Sequence, residues 1–156
     1  MRGFTHLFFV HLNLVIFGMA LITPCLGQSR SQADSVAAVR KLHLSALNKT
    51  LEGRESLPAD SVFKNLQTIG GFEAGLMPVI MEKWSIALGV GCDYCHDTNN
   101  WASDAIHEKK TARQMAGPLN EAIRNVLSKI DGLSERPVVN CATCHRGEVK
   151  PATRVK

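Results

Sequence analysis

Apolar positions along this chain fall into helical spacing and not into strict alternation. After an opening apolar run, Leu7 to Ile22, broken by His11 and Asn13, the segment Ala33–Asn48 carries Val36, Val39, Leu42 and Leu47 on a polar background. That spacing predicts an amphipathic helix. Lys49 to Pro58 is largely polar and reads as a linker. Ala59-Asp60 then offers an N-cap for a short helix carrying Val62, Phe63, Leu66 and Ile69, stopped by Gly70-Gly71. Met77, Met81, Trp84 and Leu88 recur at i, i+4, i+7 and i+11, one helical face, with Gly89 and Gly91 supplying a sharp turn after it. A last long helix is predicted from about Asp104 to Leu127. Its apolar face is Ala112, Met115, Leu119, Ala122, Ile123 and Val126, with a kink at Gly117-Pro118. No segment alternates convincingly enough for a sheet, so the expected class is all-α.

The opening run changes the picture of where the protein works. Met1-Arg2 is a short basic start, the apolar stretch follows, and Pro24-Cys25-Leu26-Gly27 leads into the polar run Gln28 to Gln32. This is the order of a secretory signal, with cleavage expected after Gly27. The expected organisation is a signal peptide over 1–27, an N-terminal helix and linker over 28–58, and one domain over 59–156. The apolar run is short and broken for a membrane-spanning helix, and Pro24 makes Cys25 a poor lipid-attachment site. The expected location is periplasmic or otherwise exported, with membrane association if the N-terminus is retained.

Composition adds less. At 45% apolar and 21% charged the chain is ordinary for a globular protein, while 6% aromatic is thin for a core of this size. A large apolar cofactor would relieve that shortage. The formal charge of +4 would suit an acidic partner, but the cations are scattered and form no basic stripe interleaved with aromatics, so no nucleic acid is expected.

The cysteines carry the chemistry. Beyond Cys25 there are two pairs, Cys92-Asp93-Tyr94-Cys95-His96 and Cys141-Ala142-Thr143-Cys144-His145. Disulfides are compatible with export, and paired C-x-x-C elements also build zinc sites. Neither needs a histidine directly after the second cysteine, and here it occurs both times. Covalent haem attachment does need it: two thiols bond to one edge of the porphyrin, which pins the next side chain beneath the iron as an axial ligand. The segment 96–140 between the pairs also exceeds the roughly 15–20 residues of a zinc ribbon spacer. The motifs predict two haem c groups, with Cys92, Cys95, Cys141 and Cys144 as attachment points and His96 and His145 as iron ligands.

The opposite axial position decides between electron transfer and small-molecule binding. Met77, Met81, Met115, His43 and His107 are the candidates. Met77 and Met81 share the face that the Gly89–Gly91 turn would fold over the first motif, and either would fit. Methionines at such spacing are more often core filler. His107 lies in a charged first turn, where a solvated histidine is the default.

Several blocks resemble one family. Val62-Phe63-Lys64-Asn65-Leu66, Met81, Leu88-Gly89-Val90-Gly91 leading into the first motif, Trp101 with Asp104, Lys110 to Met115, and the second motif with Arg146-Gly147 are similar, in order, to the cytochrome subunit of photosynthetic reaction centres. The resemblance spans about Ala59 to Pro151. It implies a small dihaem domain, helices and loops packed around two covalent haems, in which a methionine on the helix before each motif caps the iron. That singles out Met81 and Met115. Arg146 becomes a candidate haem-propionate contact, since Arg suits carboxylate binding. The reaction-centre subunit has four haems in two pseudo-symmetric halves, so this chain resembles one half.

The expected function is electron transfer, not enzymatic turnover, between a redox donor and an acceptor protein. The rivals are a small dihaem peroxidase, which needs one open iron position, and a haem-bearing subunit of a membrane electron-transfer complex.

Overall fold

The computed structural model describes residues 27–134, 136–151 and 153. The expected signal peptide therefore lies outside the described residues, apart from Gly27. By its internal contacts the chain divides into residues 1–32 and 33–156. The described part of the first unit, 27–32, is the opening of helix α1, and everything below concerns the second.

Helices α1 (Gly27–Leu51), α2 (Ala59–Val62), α3 (Leu76–Leu88), α4 (His107–Gln114), α5 (Asn120–Leu127) and α6 (Cys141–His145) are joined by turns and loops. Among the described residues there is no strand, only isolated bridges at Pro58–Glu73 and Asp97–Asn100. The fold is all-α.

Helix α1 runs past the predicted Asn48 to Leu51. Val36, Arg40, His43, Leu44 and Leu47 are half-buried along one face, and Leu51 ends the series at 1% exposure. Burial of Leu51 explains the extension, because the last turn is held by packing and not by local propensity. The following segment is strapped to the approach of α3: Ala59 N donates to Phe72 O at 2.9 Å, Ala74 N to Leu57 O at 2.8 Å, and Gly75 N to Glu55 O at 2.8 Å.

Two predicted helices have other bounds than expected, and the irregularity expected at Gly117-Pro118 takes a particular form. The helix expected to continue to Ile69 stops at Val62, because Phe63 is extended and Asn65 is left-handed (φ 63°). The helix expected from Asp104 begins at His107, since Ile106 is extended (ψ 119°) and Asp104 is engaged elsewhere. At Gly117-Pro118 the helix does not break. Met115–Leu119 forms a π turn between α4 and α5, a way of accommodating the amide that proline lacks.

Helix α3 matches its predicted limits. Pro78 sits in the first turn, where amides have no helical partner to lose. Gly89 ends it in the left-handed conformation (φ 69°), the usual task of a helix-terminating glycine. Gly91 does not share that task, being extended with φ −82°.

Candidate functional site

The first motif follows directly from that helix end. Val90 N donates back to Ser85 O at 3.1 Å, and a 3-10 turn over Cys92–Tyr94 begins at once. Cys95 N and His96 N both donate to Cys92 O, at 3.3 and 3.0 Å. The turn thus places Cys92, Cys95 and His96 on one wall of a cavity of about 400 Å³, within the range of small-molecule and cofactor sites. Met77, Met81, Trp84 and Leu88 from α3 line the same cavity, as do His43, Leu44, Leu47 and Leu51 from α1. The helical face read from sequence is therefore a cavity wall. Met77 is packed at 5% exposure, while Met81 is only half-buried.

An arginine on α1 secures the turn. Arg40 Nη1 donates to Ser85 Oγ at 3.1 Å and to Val90 O at 3.4 Å. Ser85 Oγ itself donates to Val90 O.

Electrostatics suit a neutral imidazole here. Burial lowers the His96 pKa, the Lys109 charge adds to this, and the Trp101 backbone opposes it. Neutral imidazole is the form that ligates metals. One ring nitrogen, Nδ1, is buried without a hydrogen-bond partner. Trp101 packs against His96 with ring centres 5.4 Å apart and meets His43 edge-on at 6.0 Å. Burial pushes the Cys95 thiol up to about 11, with the charges of Glu108 and Cys92 adding to it, and also raises Cys92 and Cys141. Burial thus favours the neutral thiol in all three. All four described cysteines are free, and no three His, Cys, Asp or Glu residues are grouped to hold a metal ion among the described residues.

The donor set fits a haem at this site. Two adjacent thiols, an imidazole with an orphaned nitrogen, and a thioether sulfur surround a mainly apolar space, which matches a flat apolar cofactor with iron at its centre.

The second motif forms α6. Asn140 caps it reciprocally: its side-chain oxygen accepts from Thr143 N at 3.2 Å, and Thr143 Oγ1 accepts from Asn140 N at 3.2 Å. Arg146 (φ 51°) and Gly147 (φ 90°) are both left-handed and reverse the chain. His145 Nδ1 lies 3.0 Å from Glu148 O, a bond that fixes the tautomer and leaves Nε2 for a metal. Cys141 is half-buried, while Cys144 and Arg146 are exposed. Met115 is 46% exposed at the start of the π turn. The first cavity does not reach Met115, Cys141, Cys144 or His145. His107 is exposed, as a surface histidine would be, whereas His43 faces the cavity.

One cluster was not visible in the sequence. Asp104 Oδ1 accepts from Asn65 Nδ2 at 2.9 Å, Arg113 Nη1 at 2.8 Å and Lys109 Nζ at 3.2 Å. Its carboxyl is held down to about 2, first by the Asn65 hydrogen bond and then by those from Lys109 and Arg113. The only signal was that Asn65, Trp101 with Asp104, and Arg113 belong to separate blocks of the family resemblance. The fold joins those blocks.

The family model described as photosynthetic reaction centre cytochrome C subunit matches residues 25–155. Among curated relatives, cytochrome c-554 of Chloroflexus aurantiacus is 35% identical over 82 residues, 52% of this chain and 20% of that protein. The photosynthetic reaction center cytochrome c subunit of Thermochromatium tepidum is 33% identical over 108 residues, 62% of this chain and 26% of the relative. The corresponding subunit of Rubrivivax gelatinosus is 36% identical over 83 residues, 46% of this chain and 23% of the relative. The chain spans about a fifth to a quarter of the length of these relatives.

Proposed function

The chain belongs to the photosynthetic reaction centre cytochrome c subunit family, and from that membership we propose that it is an exported electron-transfer protein carrying two haems. The first is attached through Cys92 and Cys95, with His96 and Met81 as axial ligands. The second is attached through Cys141 and Cys144, with His145 and Met115. The observation that carries this reading is the cavity that gathers Cys92, Cys95, His96 and Met81 around one apolar space.

A bound haem supplies one-electron exchange at its iron. The chain's own residues do the rest. His96 and Met81 would hold the iron and leave no place for a substrate, and Met would raise the reduction potential relative to a second imidazole. Leu44, Leu47, Leu51 and Leu88 keep water from the site. Glu148 O orients the His145 ring. In this reading residues 1–27 are a cleaved leader, 59–156 carry both attachment motifs with Arg146 available to a propionate, and α1 adds a wall to the first site.

The partners proposed are a redox donor and acceptor protein within a membrane electron-transfer complex. Among the described residues no helix is long and apolar enough to cross a membrane, so the chain would meet that complex through its surface or through its N-terminus.

Pyridine haemochrome analysis of protein exported with a cytochrome c maturation system tests the reading. Two c-type haems per chain are expected. One haem would remove one of the two sites, and none would return the cysteines to other chemistry.

A further inference from the structure

The cluster around Asp104 has no part in the ligation just described, yet it forms one side of the first cavity. Lys109 and Arg113 line that cavity together with His96. Burying an ammonium is costly unless each donor is occupied, and here they are. Lys109 Nζ lies 3.0 Å from Trp101 O, 2.6 Å from Ser103 O and 3.2 Å from Asp104 Oδ1. Arg113 reaches Asp104 Oδ1 through Nη1 at 2.8 Å and Asn65 O through Nη2 at 2.9 Å.

Two cations meet one carboxylate, so the cluster is net positive. Its geometry sharpens the imbalance. The Lys109 side chain is 9% exposed and that of Arg113 16%, but that of Asp104 is 48% exposed. Water screens the carboxylate far more than the cations, and charges facing a low-dielectric interior act over longer distances. The cluster therefore contributes a positive field to the interior.

We propose that Lys109, Arg113 and Asp104 form an electrostatic cluster that sets the reduction potential of the haem held by His96, the two cations raising it and Asp104 restraining it. The physical reason is that oxidised iron carries one more positive charge than reduced iron, so a nearby cation disfavours the oxidised form. The inference rests on the two-haem reading above. It assigns these three residues a tuning role; none of them ligates the iron.

The cluster also braces the loop that presents Trp101 to His96, so a merely structural role must be separable. Asp104→Asn and Arg113→Gln break the same network but remove charges of opposite sign. An electrostatic role moves the first haem's midpoint up in Asp104→Asn and down in Arg113→Gln. Each shift is on the order of tenfold in the electron partition between the two haems, about 59 mV for a one-electron couple. Lys109→Gln would lower it further, but its buried position makes folding the risk, and the two more exposed substitutions carry the test. Spectroelectrochemical titration of the holoprotein reads both midpoints. Opposite shifts of the first haem's midpoint in the two variants support the proposal. Shifts of the same sign, or none, overturn it while leaving two haems per chain in place. A wild-type chain without haem at Cys92 and Cys95 overturns the two-haem reading and this inference together, and the haem count separates that outcome from the others.

Discussion

The amide of Gly147 donates to the carbonyl of Ala87 at 2.8 Å. The turn that ends the second Cys-x-x-Cys-His helix is thereby fastened to the last turn of the helix that leads into the first motif, and α6 packs on α3. The contact depends on two glycines. A Cβ on Gly89 would lie 2.0 Å from Gly147 O, and Gly89 itself is left-handed. Gly147, also left-handed, has nothing within 4 Å of where its Cβ would stand. The two Cys-x-x-Cys-His motifs are therefore joined through backbone at close range, an arrangement that would suit electron exchange between haems held at both.

Gly89→Ala should accordingly be among the more damaging single substitutions. Strained φ costs roughly 1–3 kcal/mol, and the added methyl must also push the Gly147 peptide away. Gly147→Ala meets only the backbone strain and should cost less. Thermal unfolding of the holoprotein compares the two. Equal melting temperatures would show that the close approach contributes nothing.

Met77 and Met81 line one cavity but differ in burial, and their substitutions should separate cleanly. Met81→Ala should remove the first haem's share of the charge-transfer absorption of thioether-bound ferric haem, leaving that of the second, and lower one midpoint. Met77→Ala should retain both signals and instead lose stability, by roughly 2–5 kcal/mol for a buried methionine. The reverse pattern would move the ligand one turn earlier on α3. Optical spectra of the oxidised variants decide between them.

Asp104 predicts a specific acid sensitivity. Its folded-state pKa is depressed from 3.8 to about 2. A depressed carboxylate contributes stability that is fully present above the unfolded value and is lost as pH falls through the folded one. The window is therefore about pH 4 to pH 2. Asp104→Asn should be less stable than the parent at neutral pH and should converge with it as pH approaches 2. Unfolding followed by circular dichroism across that range is the measurement. A stability difference independent of pH would assign the effect to packing.

The parts of this fold legible in the sequence were those set by local rules. Met77, Met81, Trp84 and Leu88 announced both the helix and its inner face by spacing alone, and Gly89 announced where it ends. The two motifs stand out by the same local logic, since the chemistry proposed for them is set by their spacing. What stayed hidden depends on distant partners. Nothing near Leu51 signals that α1 continues to it, since its burial comes from elsewhere in the chain. Asn65 adopts φ 63° while its side chain holds Ala102 O at 2.6 Å and Asp104 Oδ1, a contact across 37 residues. Lys109 reads as one more cation in a charged stretch, and only the fold turns it inward. The π turn at Met115–Leu119 was half legible: proline announced a defect, but not its form.

Arg40 lies on α1, far from either motif in sequence, and its position makes the N-terminal helix part of the first site. Its guanidinium reaches Ser85 Oγ and Val90 O, a carbonyl just past the end of α3, where a cation is also favoured by the helix dipole. Removing it leaves the half-buried Val90 carbonyl with Ser85 Oγ alone. Arg40→Met keeps much of the apolar stem and removes the charge and hydrogen bonds, so the expected loss is that of charge-assisted bonds, about 1.5–3 kcal/mol. Because the Val90–Gly91 turn sets where Cys92 begins, the cost should fall on the first site. The variant should mature with a lower yield of the first haem and an unchanged yield of the second, read by mass spectrometry of haem-bearing peptides spanning each motif. Equal yields would mean that the turn holds its shape without Arg40, and that α1 serves the first site only as an apolar wall.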